Sequence, residues 1–310
     1  MTHIKEFGMI RTNCTLSILF FCFSIGYSQK NIERSIDVKE LINYWKSDSL
    51  FNNGEYKQAM EYYKNCDPKN NFDLSWSVKK SLCYLLVKDT LSAQNYLKEY
   101  IFNGGHYMYT NQLSQIPFFD VIAPEEIVKK RFWDNTNSFE LSDSTCLYPH
   151  VLKMLLDMRN IDQQYRIGEG DPNISLTMID SINRIKLDSL IDLYGWLGYD
   201  EVGKSGENAS FLIAQHSDRN LKFQKRCFKL MRKELIKRNI YPPNLALLYD
   251  RIKINSNKAQ LFGSQVELDP GNNNFKPKKV HSKQLLNAYR LYFGLDTIES
   301  YLELMNKRNN

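Results

Sequence analysis

The segment Phe211–Asn220, FLIAQHSDRN, carries polar side chains inside an apolar helical pattern. The spacing from Ala209 to His216 is that of one helix face, so His216 is expected on the apolar side with Gln215 beside it. Asp218 falls in the break that follows. A histidine can exchange a proton near neutral pH, and a carboxylate such as Asp218 can orient its ring. The segment therefore predicts a polar site at the end of this helix.

Further polar residues are expected at the same junction. Gln224 interrupts the apolar stripe of the following helix, and Asp250 and Arg251 end the helical pattern after that one. Gln260 and Gln265 follow on a strand-like stretch. A polar group that is buried without a partner costs about 1–3 kcal/mol. These residues are therefore expected either to satisfy one another or to hold a ligand.

The elements that must position these residues are mostly helices. Helical periodicity is predicted over residues 148–168, 175–195, 206–216, 220–238 and 242–251. The strand-like stretch at residues 251–268 has short apolar runs around a turn, which predicts a β-hairpin with Gln260 and Gln265 on its second strand. Two short helices separated at Gly294 close the chain.

A repeat is present in the first third of the chain. GEYKQAMEYYK at residues 54–64 aligns with KDTLSAQNYLK at residues 88–98, a period of 34 residues that pairs Ala59 with Ala93. The period and the small alanine resemble tetratricopeptide repeats. Two repeats are fewer than the three or so that usually form a stable stack, so they are expected to pack on the C-terminal domain. Both a peptide-binding groove and a plain helical scaffold remain open for them.

These patterns define the fold class and the domain boundaries. The fold is predicted to be mainly α, with N-terminal tetratricopeptide-like helical hairpins followed by a helical domain with one small β-hairpin. The predicted segments are a signal peptide at residues 1–29, the repeat region at 36–133, a polar linker at 134–147 and the helical domain at 148–306.

The N-terminus has the pattern of an export signal. Lys5 and Arg11 precede the short apolar run Thr15–Ile25, which ends near the small residue Ser28. The chain is therefore expected to be exported, to the periplasm or the medium, with an uncleaved signal anchor as the alternative. A comfortable membrane span needs about 20 residues, so no span is expected once the signal is removed.

The charge pattern argues against nucleic acid as a partner. The 310 residues contain 41 basic and 35 acidic side chains, a formal net charge of +6. The most basic stretch, residues 222–238, has apolar residues at helical spacing, so its cations are predicted to form a solvated helix face. Nucleic-acid binding would require a broader basic surface with aromatic platforms.

Cysteine and histidine spacing indicates no metal site, and the sequence leaves the cofactor unknown. Cys66, Cys83, Cys146 and Cys227 follow the predicted signal and are too widely spaced for a zinc or CxxC pattern. Cys83 and Cys227 lie in apolar helical stripes and are expected in the core. Whether any of the four forms a disulfide is open. A single histidine in the polar pattern gives no regular set of metal ligands.

The strings GENASFLIAQHSDRNLKFQKRC and LALLYDRIKINSNKAQLFGSQ resemble the bacterial domain of unknown function 6624. That family's pattern combines a Gln-His-Ala-Asp motif, a Phe-Gln, an Asp-Arg pair, and a Gln before Tyr-Gly-Thr-Gln. The matching residues are Gln215, His216, Asp218, Phe223, Gln224, Asp250, Arg251, Gln260, Gly263 and Gln265. The departures are Ser217, Asn220, Phe262 and Ser264.

The resemblance extends over residues 148–305 and adds an Asp-Gln pair, here Asp162 and Gln163. It implies a shared fold and a shared site that includes Asp162, but it names no reaction.

Two classes of function are compatible with these residues, and the sequence leaves open whether the protein is an enzyme. As a site, the candidate catalytic residues are His216, Asp218, Asp250 and Arg251, and the candidate ligand-binding residues are Gln215, Gln224, Gln260, Gln265 and Asp162. In that interpretation Asp218 or Asp250 orients the ring, Arg251 holds an anionic group, and the ligand is a small molecule in a hydrolysis or other group transfer. As a scaffold, the same residues form an interior network in an exported interaction module that binds a protein or peptide at the repeats.

Overall fold

The computed structural model describes residues 38–66, 75–102 and 141–309, together with short pieces between residues 130 and 138. The predicted signal peptide, residues 1–29, lies outside the described residues. The described chain is mainly helical with one small two-stranded antiparallel sheet, which confirms the predicted fold class. Within the described ranges, no helix has the length and apolar character needed to cross a membrane.

The N-terminal part of the described chain consists of helices that pair in sequence order. They are α1 Val38–Asn52, α2 Tyr56–Tyr63, α3 Ser75–Leu86 and α4 Thr90–Phe102. Ala59 of α2 and Ala93 of α4, the alanines aligned by the 34-residue period, are both fully buried. Ser81 of α3 donates a hydrogen bond from Oγ to the carbonyl of Ala93 at 2.6 Å, which ties the second pair together. The assignment of these helices to tetratricopeptide repeats stays a prediction.

The C-terminal half is built around one central helix. Its helices and strands are α5 Ser142–Thr145, α6 Pro149–Arg166, α7 Leu176–Tyr194, α8 Tyr199–His216, α9 Leu221–Ile236, α10 Pro242–Asn255, β1 Val266–Leu268, β2 Phe275–Pro277, α11 Leu286–Tyr292 and α12 Ile298–Asn309. Helix α8 contacts α5, α6, α7, α9 and α10. Because α8 ends at His216, that residue is presented where several helices meet.

Local sequence determines where α9 begins and where α8 is kinked. Asn220 Oδ1 accepts from the backbone N–H of Phe223 at 3.0 Å and thereby begins α9 directly after the break. Near its start, α8 is kinked at Gly203, whose φ of 69° suits glycine. Asp143 of α5 lies against this glycine and accepts from the backbone N–H of Ser205 at 3.0 Å. The end of the segment predicted as a linker is therefore docked on the central helix.

The small sheet lies further along the chain than the sequence predicts. Arg251 belongs to α10, which continues to Asn255, and the hairpin pairs β1 with β2 instead. The helical spacing of the buried residues Leu245, Leu248 and Ile252 explains the difference, because it carries the apolar face of α10 through the stretch interpreted as a strand. Gln260 makes an isolated parallel bridge with Val280 rather than lying on a hairpin strand.

The N-terminal helices pack on the C-terminal half through α1 and α11. Tyr44 of α1 and Tyr292 of α11 meet edge to face, with ring centroids 6.4 Å apart. Leu291 packs against the buried cluster that contains Tyr63 and Cys83. Burial of apolar and aromatic surface is the main favourable contribution to such packing. The contact supplies the support that two helix pairs were expected to need.

Candidate functional site

His216 is held by a carboxylate from a different helix than the sequence predicts. Its Nδ1 atom lies 3.0 Å from both carboxylate oxygens of Asp162, which is near the end of α6. The side chain of Asp162 is only 2% exposed, whereas that of His216 is 15% exposed. The expectation that Asp218 or Asp250 orients the ring is wrong, because both carboxylates are engaged elsewhere.

Two charged residues complete the surroundings of His216. Arg166, one turn after Asp162 on α6, donates from Nε to Asp162 Oδ2 and from Nη2 to Asp162 Oδ1, both at 3.1 Å. Its Nη2 also donates to Asp180 Oδ1 of α7 at 2.6 Å. Gln163 donates to Asp162 Oδ2 at 2.7 Å. Neither Arg166 nor Asp180 was identified as a candidate from the sequence.

These contacts favour one tautomer of the neutral imidazole. With the proton on Nδ1, His216 donates to Asp162 and carries a lone pair on Nε2. With the proton on Nε2, the bare Nδ1 would accept from Arg166 Nε at 2.9 Å but would face two carboxylate oxygens. The first tautomer gives up the bond from Arg166 Nε, which still donates to Asp162, and in exchange removes the repulsion between Nδ1 and the carboxylate. Among the described residues, His216 Nε2 has no hydrogen-bond partner.

The two acids beside His216 have shifted pKa values of opposite sign. Burial would raise the pKa of Asp162, but hydrogen bonds from His216 and Arg166 outweigh it and the pKa is lowered. Asp162 is therefore ionised at neutral pH and can stabilise a protonated imidazole. Burial raises the pKa of Asp180 in spite of the nearby charge of Arg166. The cluster thus combines a permanent carboxylate with a more weakly acidic one.

Asp218 and Arg251 form a second unit at the same junction. Arg251 donates from Nε to Asp218 Oδ1 at 2.8 Å and from Nη2 to Oδ2 at 2.6 Å, a bidentate pair. Its Nη1 donates to Gln265 Oε1 at 2.8 Å. Gln224 and Asn255 also donate to Asp218, at 3.2 and 2.8 Å. Burial would raise the pKa of Asp218, but the hydrogen bonds, led by those of Arg251, hold it below its ordinary value.

Asp250 and Gln260 do not face His216 but close a loop. The buried carboxylate of Asp250 accepts from the backbone N–H groups of Leu261, Phe262 and Ser264 at 2.8–3.2 Å. Gln260 exchanges two hydrogen bonds with the backbone of Gln265, at 2.8 and 2.9 Å. Asp250 and Gln260 are both 0% exposed. Burial raises the pKa of Asp250 to about 6 against the effect of the backbone donors. These two candidates therefore have a structural environment.

The structure divides the predicted residues into three groups. His216 and Asp162 lie together; Asp218, Arg251, Gln224 and Gln265 form the second unit; Asp250 and Gln260 close the loop. Gln215 joins the second unit through its backbone carbonyl, which accepts from Gln224 at 3.0 Å. The spacing of Asp162 and Arg166, four residues apart on one helix, is a pairing signal that could have found Arg166. No comparable pattern points to Asp180.

Thiol and metal chemistry receive no support from the described geometry. Cys66, Cys83, Cys146 and Cys227 are free thiols. Burial raises the pKa of the Cys66 and Cys83 thiols to about 12, and it also raises the pKa of Cys227. These thiols are therefore protonated and poor nucleophiles at neutral pH. In the part of the chain that the structure describes, no three histidine, cysteine or acidic side chains are grouped as metal ligands.

Comparison with known proteins adds a family to this geometry. Neither the curated proteins nor the solved structures contain a match to the chain. The model of a family of unknown function, DUF6624, matches residues 149–309, just over half of the chain. That range holds every residue of the polar groups described above, from Asp162 to Gln265. The chain therefore belongs to the DUF6624 family.

Proposed function

We propose that the DUF6624 domain of this protein binds a small molecule at His216 and uses the imidazole as a general base or acid. The observation that carries the proposal is the pairing of His216 Nδ1 with the buried carboxylate of Asp162, while Nε2 has no partner among the described residues. A ring held in this way presents a lone pair at a fixed position and can be stabilised once it is protonated. Hydrolysis or another group transfer is the reaction class that this chemistry fits best.

Arg166 and Asp180 are the proposed ligand contacts beside His216. Their side chains are 26% and 21% exposed, so a bound molecule can reach them. Asp180 Oδ2 and Arg166 Nη1 have no hydrogen-bond partner among the described residues. Arg251, in contrast, is occupied by Asp218 and Gln265. We therefore propose that Arg251 supports the junction, rather than holding an anionic substrate group as the sequence predicts.

A scaffold or interaction module is the second candidate function. The enclosed contacts of Asp250 and Gln260 favour it, because these bonds fix the loop between α10 and β1. In this alternative His216 is one more interior group, and the N-terminal helices bind a protein or peptide. The two functions differ in whether a ligand contacts His216.

A thermal-shift screen of small molecules distinguishes the two functions. The proteins compared are the wild type, His216→Ala and His281→Ala, since His281 is exposed and its ring makes no contact with His216. We expect a ligand that raises the melting temperature of the wild type and of His281→Ala but not of His216→Ala. The scaffold function is favoured instead if no ligand has this effect and His216→Ala itself lowers the melting temperature severely.

We propose further that the protein is exported. Support comes from Lys5 and Arg11 and from the apolar run Thr15–Ile25. Mass spectrometry of the protein recovered outside the cytoplasm is expected to give a chain that begins near residue 29. An intact N-terminus found with the membrane fraction would indicate the uncleaved signal anchor.

A further inference from the structure

Helix α9 carries a row of lysines that have no acidic partner. Lys222, Lys225, Lys229 and Lys233 are separated by three or four residues, which places them on one face of the helix. Among the described residues, none of these lysines makes a hydrogen bond or ion pair. Arg226, on the flank of the row, is in contrast paired with two aspartates of α7.

The row is held in place by the opposite face of the helix. That face is buried and consists of Phe223, Gln224, Cys227, Phe228, Met231 and Leu235. Because these residues fix the rotation of α9, the lysines must point away from the core. At about 1.5 Å per residue, the row from Lys222 to Lys233 extends over roughly 16 Å. Like charges at such spacing repel one another, and this repulsion is relieved when an anionic partner covers them.

We propose that this lysine row docks the protein on the phosphate headgroups of an anionic bilayer. Ile236 continues the same spacing at the end of the row, and its side chain is 80% exposed. Leu193, next to the aspartate that pairs with Arg226, is 75% exposed. Lysines match lipid phosphates, and exposed apolar side chains match the acyl region beneath them. A bilayer surface presents both kinds of partner side by side.

The same face does not fit a single-stranded nucleic acid. Such partners are bound by aromatic side chains on which bases stack, interleaved with cations. Both aromatic residues of α9, Phe223 and Phe228, are buried on the opposite face. The exposed apolar residues near the lysines, Ile236 and Leu193, are aliphatic, which favours lipid over bases.

Vesicle co-sedimentation tests the proposal with the full-length chain. The variant Lys225→Gln/Lys229→Gln/Lys233→Gln is compared with the control Lys57→Gln/Lys279→Gln/Lys283→Gln, which removes the same charge from exposed lysines elsewhere. Vesicles of phosphatidylcholine are used with and without phosphatidylglycerol. One lysine near an anionic surface contributes roughly a fivefold change in affinity. We therefore expect the first variant to bind phosphatidylglycerol vesicles about a hundredfold more weakly than the wild type.

The control variant is expected to bind within about twofold of the wild type, and added salt should weaken wild-type binding. Equal losses in both variants would show a general charge effect and overturn the proposal. Binding that is unchanged in the first variant, or equal with and without phosphatidylglycerol, would also overturn it. Unchanged melting temperatures establish that the substitutions leave the fold intact. Because none of these lysines touches His216, failure here would leave the proposed ligand site standing.

Discussion

The junction at the end of α8 contains two aspartates with opposite surroundings. Asp250 is enclosed and gives its carboxylate to backbone N–H groups, whereas Asp218 is 40% exposed and binds side chains. Burial raises the pKa of Asp250 to about 6, and hydrogen bonds from Arg251 and its neighbours lower that of Asp218. Residue type alone therefore does not distinguish the enclosed carboxylate from the exposed one. The difference comes from whether the partners are backbone or side chain, and from access to water.

Asp162 and Glu207 repeat this contrast elsewhere in the same domain. Asp162 is buried but receives hydrogen bonds from His216 and Arg166, so it remains charged. Glu207 is buried in α8, accepts from Asn244 at 2.9 Å, and has one oxygen without a partner. Burial raises its pKa to about 8. A buried acid thus stays ionised beside cations and holds its proton without them.

The largest expected effect on stability comes from removing the enclosed carboxylate of Asp250. Asp250→Ala removes the acceptor of three buried N–H groups, and at about 1 kcal/mol for each we expect a loss of about 3 kcal/mol in the free energy of unfolding. Asp218→Ala breaks a partly exposed ion pair with Arg251 and should cost about 1 kcal/mol. Urea denaturation of both variants measures the difference. A cost for Asp218→Ala equal to that for Asp250→Ala would contradict the difference between the exposed and the enclosed carboxylate.

The next effect concerns pH and Glu207. Its pKa is about 8 in the folded chain and near 4.5 when unfolded, so the folded state holds a proton that the unfolded state has released. The free energy of unfolding should therefore fall as pH rises, and between the pKa of Asp250, about 6, and that of Glu207 the slope should be about 1.4 kcal/mol per pH unit. In Glu207→Gln this slope should disappear, and in the exposed control Glu267→Gln it should remain. If the slope persists in Glu207→Gln, other titratable groups cause it and the prediction is wrong.

Much of the fold was accessible from periodicity. The helices from α6 to α9 begin and end within a few residues of the predicted ranges, apart from the start of α8, because their apolar stripes are long and regular. The hairpin was misplaced because RIKI at residues 251–254 reads equally well as a strand and as the last turn of a helix. Only the buried helix face that Ile252 shares with Leu245 and Leu248 decides between them.

Part of the membership of the site was predictable, but its pairing was not. The family motif gathers Asp218, Arg251 and Gln265, which the structure brings into contact. It cannot show that Asp250 turns toward a loop backbone, or that His216 turns toward α6. Such choices depend on side-chain direction at helix ends, where one residue changes the facing by about 100°. Asp180 lies on α7, and nothing in the local sequence around it indicates a partner.

The smallest expected effect on stability comes from removing the partly exposed ring of His216. In His216→Ala, Asp162 loses one hydrogen bond but keeps those from Arg166 and Gln163, so the free energy of unfolding should fall by about 1 kcal/mol or less. The pKa of Asp162 should rise, because one of the groups that lowers it is removed. Carboxyl carbon NMR follows that pKa, and urea denaturation gives the stability. A lowered pKa stabilises the fold above the unfolded pKa, and this contribution is lost on acidification between the unfolded and the folded pKa. In the variant the loss should therefore be smaller and should be complete at a higher pH. A loss in the free energy of unfolding close to that of Asp250→Ala would instead show that His216 is a structural residue of the interior. Its surroundings would then not differ from those of the loop that Asp250 closes.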